Sequence, residues 1–461
     1  MSWNVKDCSE RFETLARRIF RERRPPLLLR QIAGSQSLLG QVARWFQWLI
    51  HDSCYDSRIF DLALKSAFGE YRRIFGATRG DPPGPRRSGP RVGVVTTSIS
   101  RDTNTFVVGN FNASQDAGGE PDYQIIRPVD LRNEPTVWRA ATAAAPFFFT
   151  PVDLQGIGSF QDGGLKHNFA GEIATQISHQ IWPRAMGSTR MVSLGTGKAE
   201  SSDHTPHFRH IFRDSFLRRG FDAWMSTMDT DSDWRKWRTR LPDFVRADSH
   251  RLDVSLGNSP NAIDAVETME EYRNLVILQV GSARMAREAA TSLLVSRFFF
   301  IVDSLPENTT MPFWCYGSVR CKGPAQKVVK ALELLYPQGL SYVSDCGLID
   351  DIGGVESLCG LCGRYSRSIS FLTRHSDYIV NIYIQAPSKM RWRIGGFPDT
   401  VANFASKQGL DSPFGQENHD FPCRQPCHNC DATGSPSKGK RRRSESGSLA
   451  DVRSKKRALV D

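Results

Sequence analysis

Residues 138–170 read WRAATAAAPFFFTPVDLQGIGSFQDGGLKHNFA, a helix-prone run, an aromatic cluster and an acid followed by two glycines. A run of small helix formers over 136–145 ends at Pro146, whose ring and missing N–H stop a helix. Phe147, Phe148 and Phe149 follow, and a strand or turn then delivers Asp162-Gly163-Gly164. Two glycines after an acid predict positive φ and a carboxylate held at a sharp corner. A carboxylate so placed can orient and deprotonate a hydroxyl. Asp162 is therefore the candidate catalytic residue, with Gly163 and Gly164 completing its motif. The plain alternative is a turn aspartate that caps backbone N–H groups.

Upstream, residues 92–99 (VGVVTTSI) form an apolar, β-branched run that predicts a buried strand, with 106–111 as its neighbour. Nearer the start, Val5, Cys8, Phe12, Leu15, Ala16, Ile19 and Phe20 recur at helical spacing, and Pro25-Pro26 stops that helix. Further helices are expected over 38–50 and 59–68, the latter closed by Gly69. Downstream come a helix over 171–182 and a short strand over 191–194 that ends in Gly195-Thr196-Gly197. Helices over 208–237 and 262–293 follow. Alternating strands and helices predict an α/β layered domain over 1–293.

From about 296 the texture changes. Short strands are expected at 298–302, 314–321, 369–374 and 378–384, with one helix over 325–335. These make a smaller α+β lobe over 294–421. Beyond it, 422–461 is rich in Pro, Ser, Gly and Lys, the composition of a disordered tail.

Composition narrows the function classes. Hydrophobic residues are 39% and charged residues 24% of the 461, a globular balance. No apolar run approaches the ~18–20 residues that span a bilayer. No basic segment followed by an apolar stretch opens the chain, so a cytoplasmic or nuclear rather than secreted protein is expected. Ten cysteines are too few for a disulfide scaffold of this size. Cys359 and Cys362 have the spacing of half a zinc site. Cys315, Cys321, Cys346, Cys423, Cys427, His428 and Cys430 are candidate completions, against a reading as free thiols at a turn. The net charge is +11. Residues 437–461 hold nine Lys or Arg against three acids, so more than half of that excess lies in the tail. Such a patch suits anionic lipid, an import receptor or nonspecific nucleic-acid contact. No aromatic residue interleaves with it, which argues against specific nucleic-acid binding. His204, His207 and His210 recur every third residue, as a metal-facing helix or as a polar surface. His167 is too close in sequence to Asp162 to make a Ser–His–Asp set with it.

In order and spacing, the strand 92–98, Phe111-Asn112, the 138–146 helix ending in AAP, Asp162-Gly163-Gly164 and Ser193-Leu194-Gly195-Thr196-Gly197 resemble the patatin family of phospholipases and lipid acyl hydrolases. The likeness covers roughly residues 3–293, and the lobe over 298–415 is similar to the region that follows the domain in fungal members. It implies a three-layer α/β/α domain with a serine–aspartate dyad in which Asp162 is the base. It also implies a membrane or lipid-aggregate surface as substrate, and no cofactor. Two family parts are missing. No G-x-S-x-G elbow occurs, and no glycine-rich DGGGxRG oxyanion loop. Asn168-Phe169-Ala170 stands where the family often has NNP. The chain is thus expected to be truncated just past the nucleophile, and inactive. The competing expectation is a catalytically inert interaction or regulatory module.

Overall fold

The computed structural model describes residues 4–20, 53, 55–74, 90–99, 103–111, 122–126, 135–140, 145, 148–183, 189–198, 230–257, 264–303 and 312–410. Helices and strands are mixed throughout, as in an α/β protein. Two compact units divide at Ser296/Arg297, but not as contiguous blocks. Segments 381–384 and 390–398 belong to the first unit, so the smaller lobe is not the unbroken stretch that composition suggests. Among the described residues, no helix is long and apolar enough to cross a membrane.

The first unit is built on a five-stranded sheet of β1 (Gly93–Ser98), β2 (Thr105–Gly109), β3 (Tyr123–Ile126), β4 (Val152–Leu154) and β5 (Gly158–Asp162). The strand order is β3-β2-β1-β5-β4. Only β2 and β3 run parallel; β1 is antiparallel to both of its neighbours. Side chains alternate across a strand, so the register sorts them into two faces. Val95, Val107, Tyr123 and Ile125 pack against Ile173 and Ile177 of the helix Gly171–Ile181. On the other face Phe106, Val108, Ile126 and Phe160 meet Ala140 and Leu154. The helix Gly171–Ile181 covers the first face; on the second, among the described residues, Ala140 and Ile74 pack from outside the sheet. The strand at 92–99 is less buried than its apolar composition suggests: Val92 and Ile99, at its two ends, are exposed.

A second core joins Ile19, Tyr55, Phe60, Ala63, Leu64, Trp138 and Phe149. The helix Val5–Ile19 feeds it from its C-terminal end, through Ile19 and the partly buried Leu15. Its N-terminal stripe does not follow: Val5 is 87% and Phe12 66% exposed. The helix starts at Asn4, whose side chain accepts from the Asp7 N–H at 2.8 Å, and ends before the prolines. In the helix Ser57–Phe68, Asp56 caps the start and Gly69, at φ 89°, the end. A separate parallel pair, β6 (Met191–Leu194) and β7 (Ser249–Leu252), packs on the helix Val280–Val295.

The second unit is strand-rich. Ser366–Thr373, Phe313–Cys321 and Phe298–Val302 form an antiparallel three-stranded sheet in that order. At Gly317 the neighbouring strand comes so close that a Cβ would lie 2.4 Å from the Ile301 carbonyl oxygen, which requires glycine. The helix Ala325–Leu335 buries Val328, Val329 and Leu332. Gln408, after the helix Val401–Lys407, clamps the end of the first strand, accepting from the Val302 N–H and donating to its carbonyl. The run expected as one strand over 378–384 breaks at Asn381 into Ile379–Val380 and Ile382–Gln385.

Candidate functional site

Asp162 is the last residue of β5, opposite Thr96 of β1. A short 3-10 turn, Gly163–Leu165, starts immediately after it, and the Asp162 carboxylate caps that turn by accepting from the Gly164 N–H at 3.0 Å. The glycines serve a different purpose from the one their spacing suggests. Neither adopts positive φ. Gly163 is required because its Cβ would fall 2.4 Å from the Val95 carbonyl oxygen, whereas Gly164 has ordinary room. Close approach to β1, rather than a left-handed corner, fixes where the acid sits.

A base for nucleophilic catalysis needs a hydroxyl within hydrogen-bonding reach. Thr96, across the strand pair, spends its hydroxyl on the Gln161 carbonyl at 2.6 Å. Ser98, on the same face, uses its oxygen to accept from the Asn104 N–H. Among the described residues no hydroxyl donates to Asp162. His167 is half-buried on the turn that follows and makes no side-chain hydrogen bond to Asp162. The chemistry present is that of a fixed, partly solvated acceptor.

The other sequence candidates do not converge on this corner. Gly195-Thr196-Gly197 is a strand-end turn whose natural ligand is a side chain. The Gly197 N–H donates to Asp253 at 2.9 Å, and a Cβ at Gly195 would collide with the same carboxylate. Cys359 and Cys362 stand on a tight turn in which the Gly363 N–H donates to the Cys359 carbonyl. Among the described residues no three His, Cys, Asp or Glu side chains gather as a metal site. Cys315 is buried, and burial beside Asp303 pushes its thiol up to about 12. His204, His207, His210, Cys423, Cys427, His428, Cys430, Asn112 and the basic tail lie outside the described residues.

Sequence reading missed three polar groupings. Thr97, Thr105 and Tyr123 occupy one row across β1, β2 and β3, at 1%, 2% and 4% exposure. All three hydroxyls are buried without a hydrogen-bond partner. Gln180 stands beside the phenol, whose pKa burial pushes up, yet its Oε1 is unpartnered too. This row faces the helix Gly171–Ile181, opposite to Asp162. The second grouping is ionic. Asp248 receives both Arg393 and Arg190, all three nearly sealed from solvent, and burial pulls the Arg190 guanidinium below its usual range. The third is Asp61, half-buried in a cavity of about 190 Å³ with Ser57 and Arg139; burial pushes its carboxyl up against Lys65 and Arg139. None has a local signal, because each joins residues far apart in sequence or one turn apart on an ordinary helix.

Comparison with protein-family models, curated proteins and solved structures finds no match to this chain.

Proposed function

We propose that the first unit is a patatin-type lipid acyl hydrolase domain, three-layered α/β/α, in which Asp162 stands where that family keeps its base, and that this chain does not cleave esters. The reading rests on the ordered motif series, on the helix Gly171–Ile181 packed on one face of the sheet, and on one observation above the rest. Asp162 is fixed at a strand end by the contact of Gly163 with the Val95 carbonyl, and no hydroxyl donates to it among the described residues. Loss of one member of a catalytic set removes roughly 10⁴–10⁶ of the rate. The sequence also has no glycine-rich oxyanion loop to supply the remainder. The same observation favours a role in interaction or regulation at a lipid surface for the domain in this form.

The test is hydrolysis of p-nitrophenyl butyrate by the purified chain, with fluorophosphonate labelling in parallel. The expected result is no adduct and no turnover that responds to Asp162→Asn. Turnover that falls a hundredfold or more on that substitution, or a labelled serine, overturns the proposal.

A further inference from the structure

Between β7 and the helices Thr230–Thr239 and Val280–Val295 lies a cavity of about 230 Å³. Its walls include Trp234, Arg238, His250, Leu252, Met285 and Glu288. The volume is below the usual range for drug-sized ligands, so any occupant is small.

Two of these side chains carry charges that the protein leaves unmatched. Arg238 is exposed and forms no ion pair among the described residues; its guanidinium donates to the Arg246 carbonyl at 3.5 Å. Glu288 has Arg284 at 3.9 Å, and that arginine is 78% exposed, a geometry worth almost nothing in water. Arg238 and Glu288 come from different helices and do not pair with each other. Arg251 also lines the cavity, but it is spent on Asp231, Asp253, Ser193 and Thr230. His250 completes the polar wall. Its Nε2 is buried with no hydrogen-bond partner, and burial lowers the pKa of the ring, which is therefore neutral at neutral pH.

Among the described residues the cavity presents an exposed guanidinium without an ion pair, a weakly held carboxylate, a neutral imidazole and a smaller apolar patch, and this combination selects a ligand with matching parts. A simple anion would suit Arg238 and be repelled by Glu288; a simple amine would meet the reverse. We propose that this cavity binds a small zwitterion of the α-amino acid type, its carboxylate on Arg238, its ammonium on Glu288, and its carbon chain against Trp234, Leu252 and Met285. The site is independent of Asp162 and of ester chemistry.

Isothermal titration of the full chain at neutral pH provides the test, with L-leucine as probe beside 4-methylvalerate and isoamylamine, which keep one charge each. Saturable binding of L-leucine is expected, with each single-charge analogue at least tenfold weaker, since a charge-assisted hydrogen bond is lost. Arg238→Gln and Glu288→Gln, both outside the core, should each weaken L-leucine at least tenfold and leave the melting temperature within a few degrees. The proposal fails if L-leucine gives no saturable heat. It fails equally if the acid or the amine alone binds as tightly, or if both variants bind like the parent.

Discussion

In the unit that begins at Arg297, two tyrosines are buried almost completely and hold each other. Tyr342 Oη meets Tyr365 Oη at 2.7 Å, and Tyr365 donates onward to the Ile352 carbonyl. In the unit that begins the chain, Tyr123 is buried to a similar degree beside Thr97 and Thr105, and none of the three has a partner. Among the described residues the second unit leaves little buried polar matter unsatisfied. The first also strands Gln180 Oε1, His250 Nε2, Arg190 Nε and Ser292 Oγ. Buried polar groups are normally paired, because each orphan costs about 1–3 kcal/mol. The second unit spends its polar groups on folding, whereas the first keeps several in reserve, and function is to be sought there.

Ionic burial should give the largest effect. Asp248→Ala leaves Arg190 and Arg393 buried together with no carboxylate between them. Removing one partner of a buried ion pair costs about 3–5 kcal/mol. The variant should lose that much stability in urea titration, with hydrogen exchange accelerated first in β6, β7 and the helix Val280–Val295. A loss below about 1 kcal/mol would mean that these guanidiniums reach solvent or another anion.

The two units should also respond differently to pH. Both carry thiols or phenols raised by burial, but the second carries four of them against Tyr123 in the first among the described residues, and the first carries a lowered histidine. Folding holds the Cys315 thiol protonated up to about 12, against an ordinary 9.0, and Cys321 up to about 11, both through burial. Burial also raises Tyr342 and Tyr365. For a raised pKa the stabilisation is complete below the unfolded value and drains as pH climbs through the folded one. The second unit should therefore weaken from about pH 9 towards 12. His250 is lowered by burial, with Asp248 and Glu288 pulling it up and Arg190 and Arg238 pushing it down. Its contribution is complete above 6.5 and disappears as pH falls through the folded value, so the first unit should weaken on the acid side. Hydrogen exchange across the pH range reads both; an alkaline loss confined to residues before 297 would contradict the contrast.

A smaller cost is expected at Gly317. Alanine there drives a methyl group against the Phe300 ring and the Ile301 carbonyl, and overpacking of this kind costs about 1–3 kcal/mol. Gly164→Ala, at a position with ordinary room and no positive φ, should cost less than Gly163→Ala, which meets the Val95 carbonyl. Melting temperatures of the three variants give the ranking.

Much of the local structure was legible, and the reason is visible in the residues that carried it. Phe298–Val302 and Ala325–Leu335 have the bounds that their strand and helix periodicities predict. Those signals are local. The strand order was not legible, since β1 takes its partner β5 from some 65 residues away, a pairing no window contains. The break at Asn381 was hidden because apolar alternation continues through it. At the candidate site, sequence located the acid but misjudged its glycines: composition distinguishes glycine from other residues, not close approach from positive φ. His250, Arg238 and Glu288 were invisible as a group, each an ordinary polar residue until three elements fold together.

The smallest effects test the opening contrast most directly, because here sign matters more than size. Tyr342→Phe removes one partner from a satisfied pair, leaving Tyr365 bonded to Ile352, and should cost about 1 kcal/mol. Tyr123→Phe removes a hydroxyl whose contact with Gln180 falls outside hydrogen-bonding geometry, and with it the cost of keeping that group dry. It should leave stability unchanged or raise it by up to about 1 kcal/mol, and Thr97→Val should do the same. Urea midpoints at constant slope separate a gain from a loss of this size. If Tyr123→Phe destabilises as much as Tyr342→Phe, the row across β1, β2 and β3 is satisfied by a bound water or ligand. The first unit's reserve of polar groups would then have to be sought at His250 Nε2, Arg190 Nε and Ser292 Oγ.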